Sequence, residues 1–172
     1  ATGNIIHRFT EHSGAVNDVV FNQDGTEILS GSEDKLVILW NTQTGEPIIT
    51  YEQSASTAIG IHAVAFDPAH SWVLGSNTQI VTWDKETAEF VHVEGTSLRL
   101  AGLAVGADGT TYDGSGRFVR LVNSLIDGTN VSERLLYDHD GLISMVTVSL
   151  DNQILLTGAT DGAIRIWNIN AQ

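Results

Sequence analysis

Short apolar runs separated by polar turns make up most of the chain. Runs such as Leu36 to Trp40 and Ala163 to Trp167 are rich in β-branched and aromatic residues and last about five positions. Gly, Asp, Asn and Ser occupy the intervals between them. Runs of this length and composition, bounded by turn residues, are typical of β-strands. The pattern therefore predicts an all-β protein.

The runs recur at a nearly constant interval. The segment from Asp24 to Asn41 contains a turn, an apolar run, a Gly-containing turn and a second run that ends near an aromatic residue. Versions of it return three more times, and the positions matching Trp40 are Trp83, Val122 and Trp167, with steps of 43, 39 and 45 residues. A period of this size indicates a repeat architecture in which each repeat is one structural unit.

With these repeats the sequence resembles the WD-repeat family of β-propellers along essentially its whole length. The family's Trp-Asp pair is present as Trp83-Asp84, and its Gly-His pair is represented by Glu11-His12 and Asp138-His139. The resemblance implies four four-stranded antiparallel blades, one per repeat. We expect one unit over residues 1–172, with repeats near 10–53, 54–94, 95–137 and 138–172. In the third repeat, Asp113 to Gly116 is interpreted as a tight turn.

The fourth repeat ends without an outer strand, whereas Asn4 to Phe9 has the pattern of a strand without a blade. The resemblance implies that an N-terminal strand completes the last blade, in the same chain or in a partner chain. Three arrangements stay open: a four-bladed unit, a strand-exchanged homodimer forming an eight-bladed ring, or a piece of a larger propeller. The first residue is not Met, which favours a processed or engineered chain.

Composition narrows the function classes. The chain carries a net charge of −13 with only 8 Lys and Arg, and these are dispersed over both halves, so no nucleic-acid partner is predicted. The acidity favours basic partners, or serves solubility alone. The absence of Cys excludes thiol catalysis and disulfides, and no apolar run is long enough to predict a membrane span or signal peptide. We expect a cytoplasmic location, with the nucleus as the alternative.

Two sets of residues share the same internal spacing, and each spans 28 residues. A Ser, His and Asp together suggest a hydrolase triad. We interpret them instead as a structural hydrogen-bond network, because the set occurs twice and no Gly-x-Ser-x-Gly turn is present. The resemblance implies that the Asp holds the His, the His contacts the hydroxyl and the hydroxyl contacts the indole. The members are His12, Ser30, Asp34 and Trp40, and His139, Thr157, Asp161 and Trp167.

No catalytic, metal or cofactor site is predicted. The clusters from Asp138 to Asp140 and from His92 to Glu94 lack the spacing of a zinc site. Gly114 to Gly116 is followed by neither Lys nor a helix pattern, so it does not indicate a phosphate-binding loop.

The family resemblance also implies a binding face where the inner strands begin. Six residues at these positions are predicted to contact a partner: Asn17, Glu33, His62, Arg99, Ser144 and Thr160. Five neighbouring positions are small or less polar: Ala15, Gly60, Ala101, Ser115 and Leu142. The sequence thus predicts a non-enzymatic scaffold that binds proteins or basic or polar peptides. The alternatives are a small-ligand binder or enzyme that uses the central channel, and a designed or trimmed unit without a natural partner.

Overall fold

A computed structural model describes residues 3–52, 59–95, 100–123 and 132–169. Fifteen strands are present in these ranges. Their bounds, in chain order, are β1 Val16–Phe21, β2 Glu27–Ser32, β3 Leu36–Asn41, β4 Pro47–Glu52, β5 Ala63–Asp67, β6 Trp72–Ser76, β7 Gln79–Asp84, β8 Phe90–Gly95, β9 Leu100–Val105, β10 Thr111–Ser115, β11 Phe118–Asn123, β12 Ser132–Tyr137, β13 Ile143–Val148, β14 Ile154–Ala159 and β15 Ile164–Asn168.

The strands form four antiparallel sheets in which neighbours in sequence are neighbours in space. Strands β1 to β4, β5 to β8 and β9 to β12 form the first three sheets, and β13 to β15 form the fourth. Local turns make this order possible: Gly25 and Gly109 adopt φ values of 74° and 81° between the first two strands of their sheets, a conformation that glycine adopts without steric cost. The predicted all-β propeller with four antiparallel blades is confirmed.

The hydrophobic core lies between consecutive blades. One buried cluster joins blades one and two around Leu29, Val64 and Trp83, a second joins blades two and three, and a third joins blades three and four. Among the described residues no corresponding cluster joins blade four to blade one. The blades are therefore stabilised by three successive face-to-face contacts.

The interpretation of Asp113 to Gly116 as a turn was wrong for its first three residues. Asp113, Gly114 and Ser115 belong to strand β10, and only Gly116, with φ of 62°, lies in the turn to β11. The strand persists through a buried carboxylate because Arg120, directly opposite on β11, neutralises Asp113. Residues typical of a tight turn thus lie in a strand here, and an ion pair stabilises that strand.

Residues 4–9, predicted as a strand, have no strand conformation in this structure. They lie beside blade one, where His7 Nε2 is 3.0 Å from the carbonyl oxygen of Gln43 and the Phe9 ring is 4.9 Å from the ring of Trp40. The fourth sheet, which these residues were predicted to complete, stands at the other end of the series of blades, so its edge strand β15 is not paired with them. The fourth sheet accordingly has three strands.

The inner strands of all four blades line one cavity of about 300 Å³ at the end where those strands finish. Its walls are mostly apolar and include Val20, Val64, Leu103 and Val146. In the described ranges, no helix is long and apolar enough to cross a membrane.

Candidate interaction face

A bulge in the first inner strand directs Asn17 toward the second blade. The register of β1 against β2 shifts between Val16 and Asp18, so Asn17 falls outside the regular pairing. Its amide nitrogen Nδ2 donates to the carbonyl oxygen of Ile61 at 2.8 Å and to Glu33 Oε1 at 3.0 Å. One side chain thus connects the turn after β2 with the segment that leads into β5.

His62 completes this group. Its Nδ1 lies 3.5 Å from Asn17 Nδ2 and 3.9 Å from Glu33 Oε1. The imidazole is only 10% exposed, whereas the Glu33 side chain is 47% exposed. The structure therefore brings three of the predicted residues together at the junction of blades one and two, with the carboxylate facing solvent. We call Asn17, Glu33 and His62 the junction triad.

Close backbone contact holds the junction triad in place. The amide of Ile61 donates to the carbonyl oxygen of Ser32 at 2.8 Å, joining the two blades directly. A Cβ on Gly60 would lie 2.4 Å from Glu33 Cα, so only glycine fits at this approach. The triad thus rests on main chain that is fixed by packing.

The other predicted residues are placed differently. Ser144 occupies the equivalent bulge in blade four, and its hydroxyl donates to the carbonyl oxygen of Gly158 at 3.2 Å. Thr160 Oγ1 accepts from the amide of Leu142 at 2.8 Å. Their described hydrogen bonds stay within blade four. Arg99 lies outside the described residues, and Ser115, from the wider predicted set, is buried.

Just behind this face, His12 links the turn between β2 and β3 to the interior of blade one. Its Nδ1 is 2.9 Å from Asp34 Oδ2, its Nε2 is 2.7 Å from Ser30 Oγ, and Trp40 Nε1 donates to Ser30 Oγ at 2.8 Å. Because the Asp34 carboxylate only accepts, we assign the Nδ1 proton to His12 and the donor role toward Nε2 to the Ser30 hydroxyl. The result is a continuous hydrogen-bonded path from indole to carboxylate.

Blade four repeats this arrangement. His139 Nδ1 is 3.0 Å from Asp161 Oδ2, His139 Nε2 is 2.7 Å from Thr157 Oγ1, and Trp167 Nε1 donates to Thr157 Oγ1 at 2.9 Å. Arg165 adds a contact absent from blade one, since its Nη1 donates to Asp161 Oδ2 at 3.0 Å. The structure thus places all eight predicted network residues in two matching sets.

The electrostatics of both networks favour charged carboxylates. Burial alone raises the pKa of Asp34, but hydrogen bonds from His12 and from the amides of Leu36 and Ser13 outweigh it and lower the pKa below the ordinary value of 3.8. The amide of Ala163, followed by the other donors around it, holds the pKa of Asp161 well below its usual range. Each aspartate therefore acts as a charged anchor for its turn.

The burial of Ser30 decides between the two interpretations of these residues. Ser30 is 3% exposed, and its hydroxyl lies between an imidazole and an indole inside the blade. A nucleophile must reach its substrate. This geometry suits a structural network and gives a substrate no access to the Ser30 oxygen.

Sequence reasoning missed the pair that replaces the network in blade three. Asp113 pairs in register with Arg120, and the Arg120 Nε donates to Asp113 Oδ2 at 2.7 Å. Asp113 occupies the place of Ser30, and Val122 the place of Trp40, relative to the strand pairing. The signal available in the sequence is an Asp and an Arg seven residues apart with a Gly-rich segment between them.

A second missed residue lies on the same face. Arg117, in the turn between β10 and β11, donates from Nη2 to the carbonyl oxygen of Asp140 and leaves its side chain 60% exposed. It adds a positive charge at the junction of blades three and four. Within the described residues, no group of three His, Asp or Glu side chains is placed to hold a metal ion.

A family model described as "WD domain, G-beta repeat" matches residues 3–41 and 130–168. These two matches contain the two hydrogen-bonded His-Asp sets just described. Over these two ranges the chain is similar to the WD-repeat family.

Curated relatives are similar to most of the chain. The chain is 28% identical to the small ribosomal subunit protein RACK1 of Brassica napus, over 92% of this chain and 40% of that protein. It is also 28% identical to human pre-mRNA-processing factor 17, over 90% of this chain and 29% of that protein. The chain thus spans well under half the length of these relatives.

Solved structures share the fold. A chain in the crystal structure of the mitotic checkpoint complex superposes with a TM-score of 0.79 at 20% identity, covering 95% of this chain and 52% of that chain. The crystal structure of the RRP9 WD40 repeats gives a TM-score of 0.80 at 18% identity, covering 94% and 50%. The four blades therefore correspond to about half of each of these structures.

Proposed function

We propose that this chain is a non-enzymatic interaction module that binds a polar or basic peptide segment at the junction triad. The observation that carries the proposal is the convergence of Asn17, Glu33 and His62, which leaves a fixed and half-exposed carboxylate on the face where the inner strands begin. A carboxylate oriented by an amide donor binds Lys or Arg with a defined direction. The net charge of −13 would speed the approach of such a segment.

The relatives support a scaffold role in general terms. RACK1 is named as a protein of the small ribosomal subunit and the human relative as a pre-mRNA-processing factor. The first name describes a component of a large assembly and the second a factor in RNA processing, and on this basis we propose a cytoplasmic or nuclear location for this chain. The second name concerns RNA processing. The ligand that we assign to the junction triad is nevertheless a peptide and not a nucleic acid.

The central cavity supports the competing function less well. None of its described lining residues is ionisable, so an enzyme acting there would lack an acid, a base and a charged nucleophile from this chain. A small apolar ligand fits the walls better than a reacting substrate does. For the third alternative, a designed or trimmed unit, recovery of specific partners from a cell extract would distinguish a natural scaffold.

The test is peptide binding measured by fluorescence polarisation on an array of peptides that vary in Lys and Arg content. Glu33→Gln should weaken binding of basic peptides about tenfold, as expected for loss of one charge-assisted contact of about 1.4 kcal/mol. Glu46→Gln is the matched control because it removes the same charge from an exposed turn at the opposite edge of blade one. Equal binding by Glu33→Gln and the parent would refute the assignment of the triad.

We also propose that the chain self-associates as a homodimer. Residues 4–9 lie at one end of the series of blades and the three-stranded fourth sheet lies at the other. These two features support an exchange of N-terminal segments between copies.

A further inference from the structure

A second cavity lies between blades one and two, at the end of the blades opposite to the junction triad. Its volume is about 310 Å³, and its walls come from strand ends and from the turns that follow β1, β5 and β7. It borders the central cavity, since Phe66 lines both, but Glu27, Trp72 and Lys85 line only this one of the two. Both blades that form it have four strands. We call it the outer cavity.

Trp72 supplies an aromatic wall whose orientation is fixed. His70 stacks on its ring, with 4.5 Å between the ring centroids and 17° between the ring planes. His70 is in turn held by Asp67, because His70 Nδ1 lies 2.8 Å from Asp67 Oδ2. Trp72 remains partly exposed, and His70 is not among the described residues that line the cavity. The protein therefore supports the indole from the side of His70 and leaves part of Trp72 accessible from the cavity.

An ion pair between the two blades supplies a polar wall. Lys85 Nζ of blade two lies 3.0 Å from Glu27 Oε2 of blade one, and the two side chains are 26% and 20% exposed. Asn22 Nδ2 donates to the same carboxylate oxygen at 3.0 Å. The backbone of Lys85 is also fixed, because its amide donates to the carbonyl oxygen of Ser71 at 3.0 Å and its carbonyl oxygen accepts from the Tyr51 hydroxyl at 2.5 Å. Donors and acceptors are thus held in place before a ligand arrives.

The charges of the outer cavity restrict the class of ligand. Its described ionisable lining residues are three carboxylates, Asp24, Glu27 and Asp67, and one ammonium, Lys85. The excess of carboxylates would repel an anionic ligand. A cationic ligand would find Glu27 already paired with Lys85. Asp67 is 3% exposed, and Asp24 accepts from both the amide and the hydroxyl of Thr26, so these carboxylates are also hydrogen-bonded within the protein.

A neutral ligand that carries hydroxyl groups avoids both conflicts. A hydroxyl group donates to a carboxylate and accepts from an ammonium or an amide, so it can use both members of the ion pair without breaking it. A ligand for this cavity also needs an apolar surface that matches the accessible part of Trp72. These two requirements are met together by a sugar ring, which has C–H groups on one face and hydroxyl groups around its edge.

We propose that the outer cavity binds a neutral saccharide. The C–H face of the sugar lies on Trp72, and its hydroxyl groups donate to Glu27 and accept from Lys85 and Asn22. The volume of about 310 Å³ is near the lower limit of ligand sites, which span about 300 to 1,000 Å³, and this favours a mono- or disaccharide. The site shares no residue with the junction triad, so this inference goes beyond the proposed peptide binding and does not depend on it.

Isothermal titration calorimetry with glucose, galactose, mannose, N-acetylglucosamine, maltose, cellobiose and lactose tests the proposal. At least one of them should bind the parent with a dissociation constant of about 1 mM or lower. Trp72→Ala should weaken that binding about tenfold because it removes the aromatic surface. Lys85→Met should weaken it about fivefold because it removes the ammonium donor.

Two control variants match these changes outside the cavity. Phe90→Ala removes an aromatic side chain that is 61% exposed on the outer strand β8 of blade two and does not line the cavity. Lys35→Met removes the same charge as Lys85→Met, but from the turn between β2 and β3 at the other end of blade one. Both controls should bind the saccharide as the parent does.

Nuclear magnetic resonance of the parent gives a readout that needs no destabilising variant. The indole N–H signal of Trp72 is identified by its absence from the spectrum of Trp72→Phe. This signal should shift when the saccharide is added, whereas the signal of Trp40, which is 1% exposed inside blade one, should not.

Three results would each overturn the proposal. The first is that none of the saccharides binds the parent at about 10 mM. The second is binding that leaves the Trp72 signal in place. The third is binding that Phe90→Ala and Lys35→Met weaken as much as Trp72→Ala and Lys85→Met do.

Discussion

The hydroxyl of Ser30 is the central member of the blade-one network, and removing it isolates two buried groups. Ser30→Ala leaves Trp40 Nε1 without its acceptor and His12 Nε2 without its donor. Trp40 is 1% exposed, so water cannot take the place of the hydroxyl at the indole. The substitution also adds no steric strain, because alanine is smaller and equally compatible with the strand.

The expected loss of stability follows from these two orphaned groups. A buried donor or acceptor left without a partner costs about 1 to 3 kcal/mol, so the free energy of unfolding should fall by about 2 to 4 kcal/mol. Thr157→Val likewise removes the network hydroxyl in blade four, where Trp167 is only partly buried. Water can reach this indole more readily, and the loss there should be about 1 kcal/mol.

Urea unfolding followed by Trp fluorescence measures both losses. Ser13→Ala is the control, since Ser13 is exposed and contributes only its backbone amide to Asp34. The control should stay within about 0.5 kcal/mol of the parent. A Ser30→Ala variant as stable as the control would refute the hydrogen-bonded path, and a larger loss for Thr157→Val than for Ser30→Ala would refute the role given to burial.

Three further predictions concern pH, packing and the ion pair. The pKa of Asp34 is lowered in the folded state, so the stability that its carboxylate contributes is present above the ordinary pKa of 3.8 and is lost as the pH falls through the lowered folded value. The difference in unfolding free energy between the parent and Asp34→Asn, measured by urea titration, should therefore shrink from pH 7 to pH 3. A difference that stays constant over this range would contradict the prediction. Gly31→Ala should destabilise the fold by about 1 to 3 kcal/mol in thermal unfolding, because the added Cβ meets the next blade. Gly158→Ala should leave the chain within about 0.5 kcal/mol of the parent, because the space beside Gly158 is open. Equal losses for the two variants would contradict this difference in packing. Arg120→Met should lower the free energy of unfolding by about 3 to 5 kcal/mol, because it leaves the Asp113 carboxylate buried without its ion-pair partner. Adding Asp113→Leu should recover most of that loss in the same assay. A double variant as unstable as Arg120→Met would argue against the ion pair.

Local sequence was a good guide wherever one repeat resembled another. The strands that contain Trp40, Trp83 and Trp167 begin and end within about two residues of their expected positions, since β-branched runs bounded by turn residues have few other conformations open to them. Repetition at fixed offsets also gave the members of both His-Asp sets. In the third repeat, Asp113 looked like a turn residue, and only its cross-strand partner Arg120 explains why it lies in a strand.

The candidate site was harder to predict because its geometry depends on two blades. The family resemblance selected Asn17, Glu33 and His62 one by one, but no spacing in the sequence indicates that a bulge turns Asn17 toward the next blade or that Glu33 approaches Gly60. Strand order in a sheet follows from local turns, whereas contacts between sheets follow from the packing of both faces.

The sequence by itself determined the all-β class, the number of repeats and the residues of each network, because period, turn chemistry and strand propensity act over a few residues. Tertiary structure alone decided which side chains meet across blades, that residues 4–9 lie on blade one, and that Ile164, Ile166, Val19 and Phe21 remain exposed. These apolar residues occupy positions that other blades bury. Such a residue is buried when another blade packs on it and exposed when none does. The hydrophobic pattern of the sequence is the same in either situation, so the pattern does not predict the exposure.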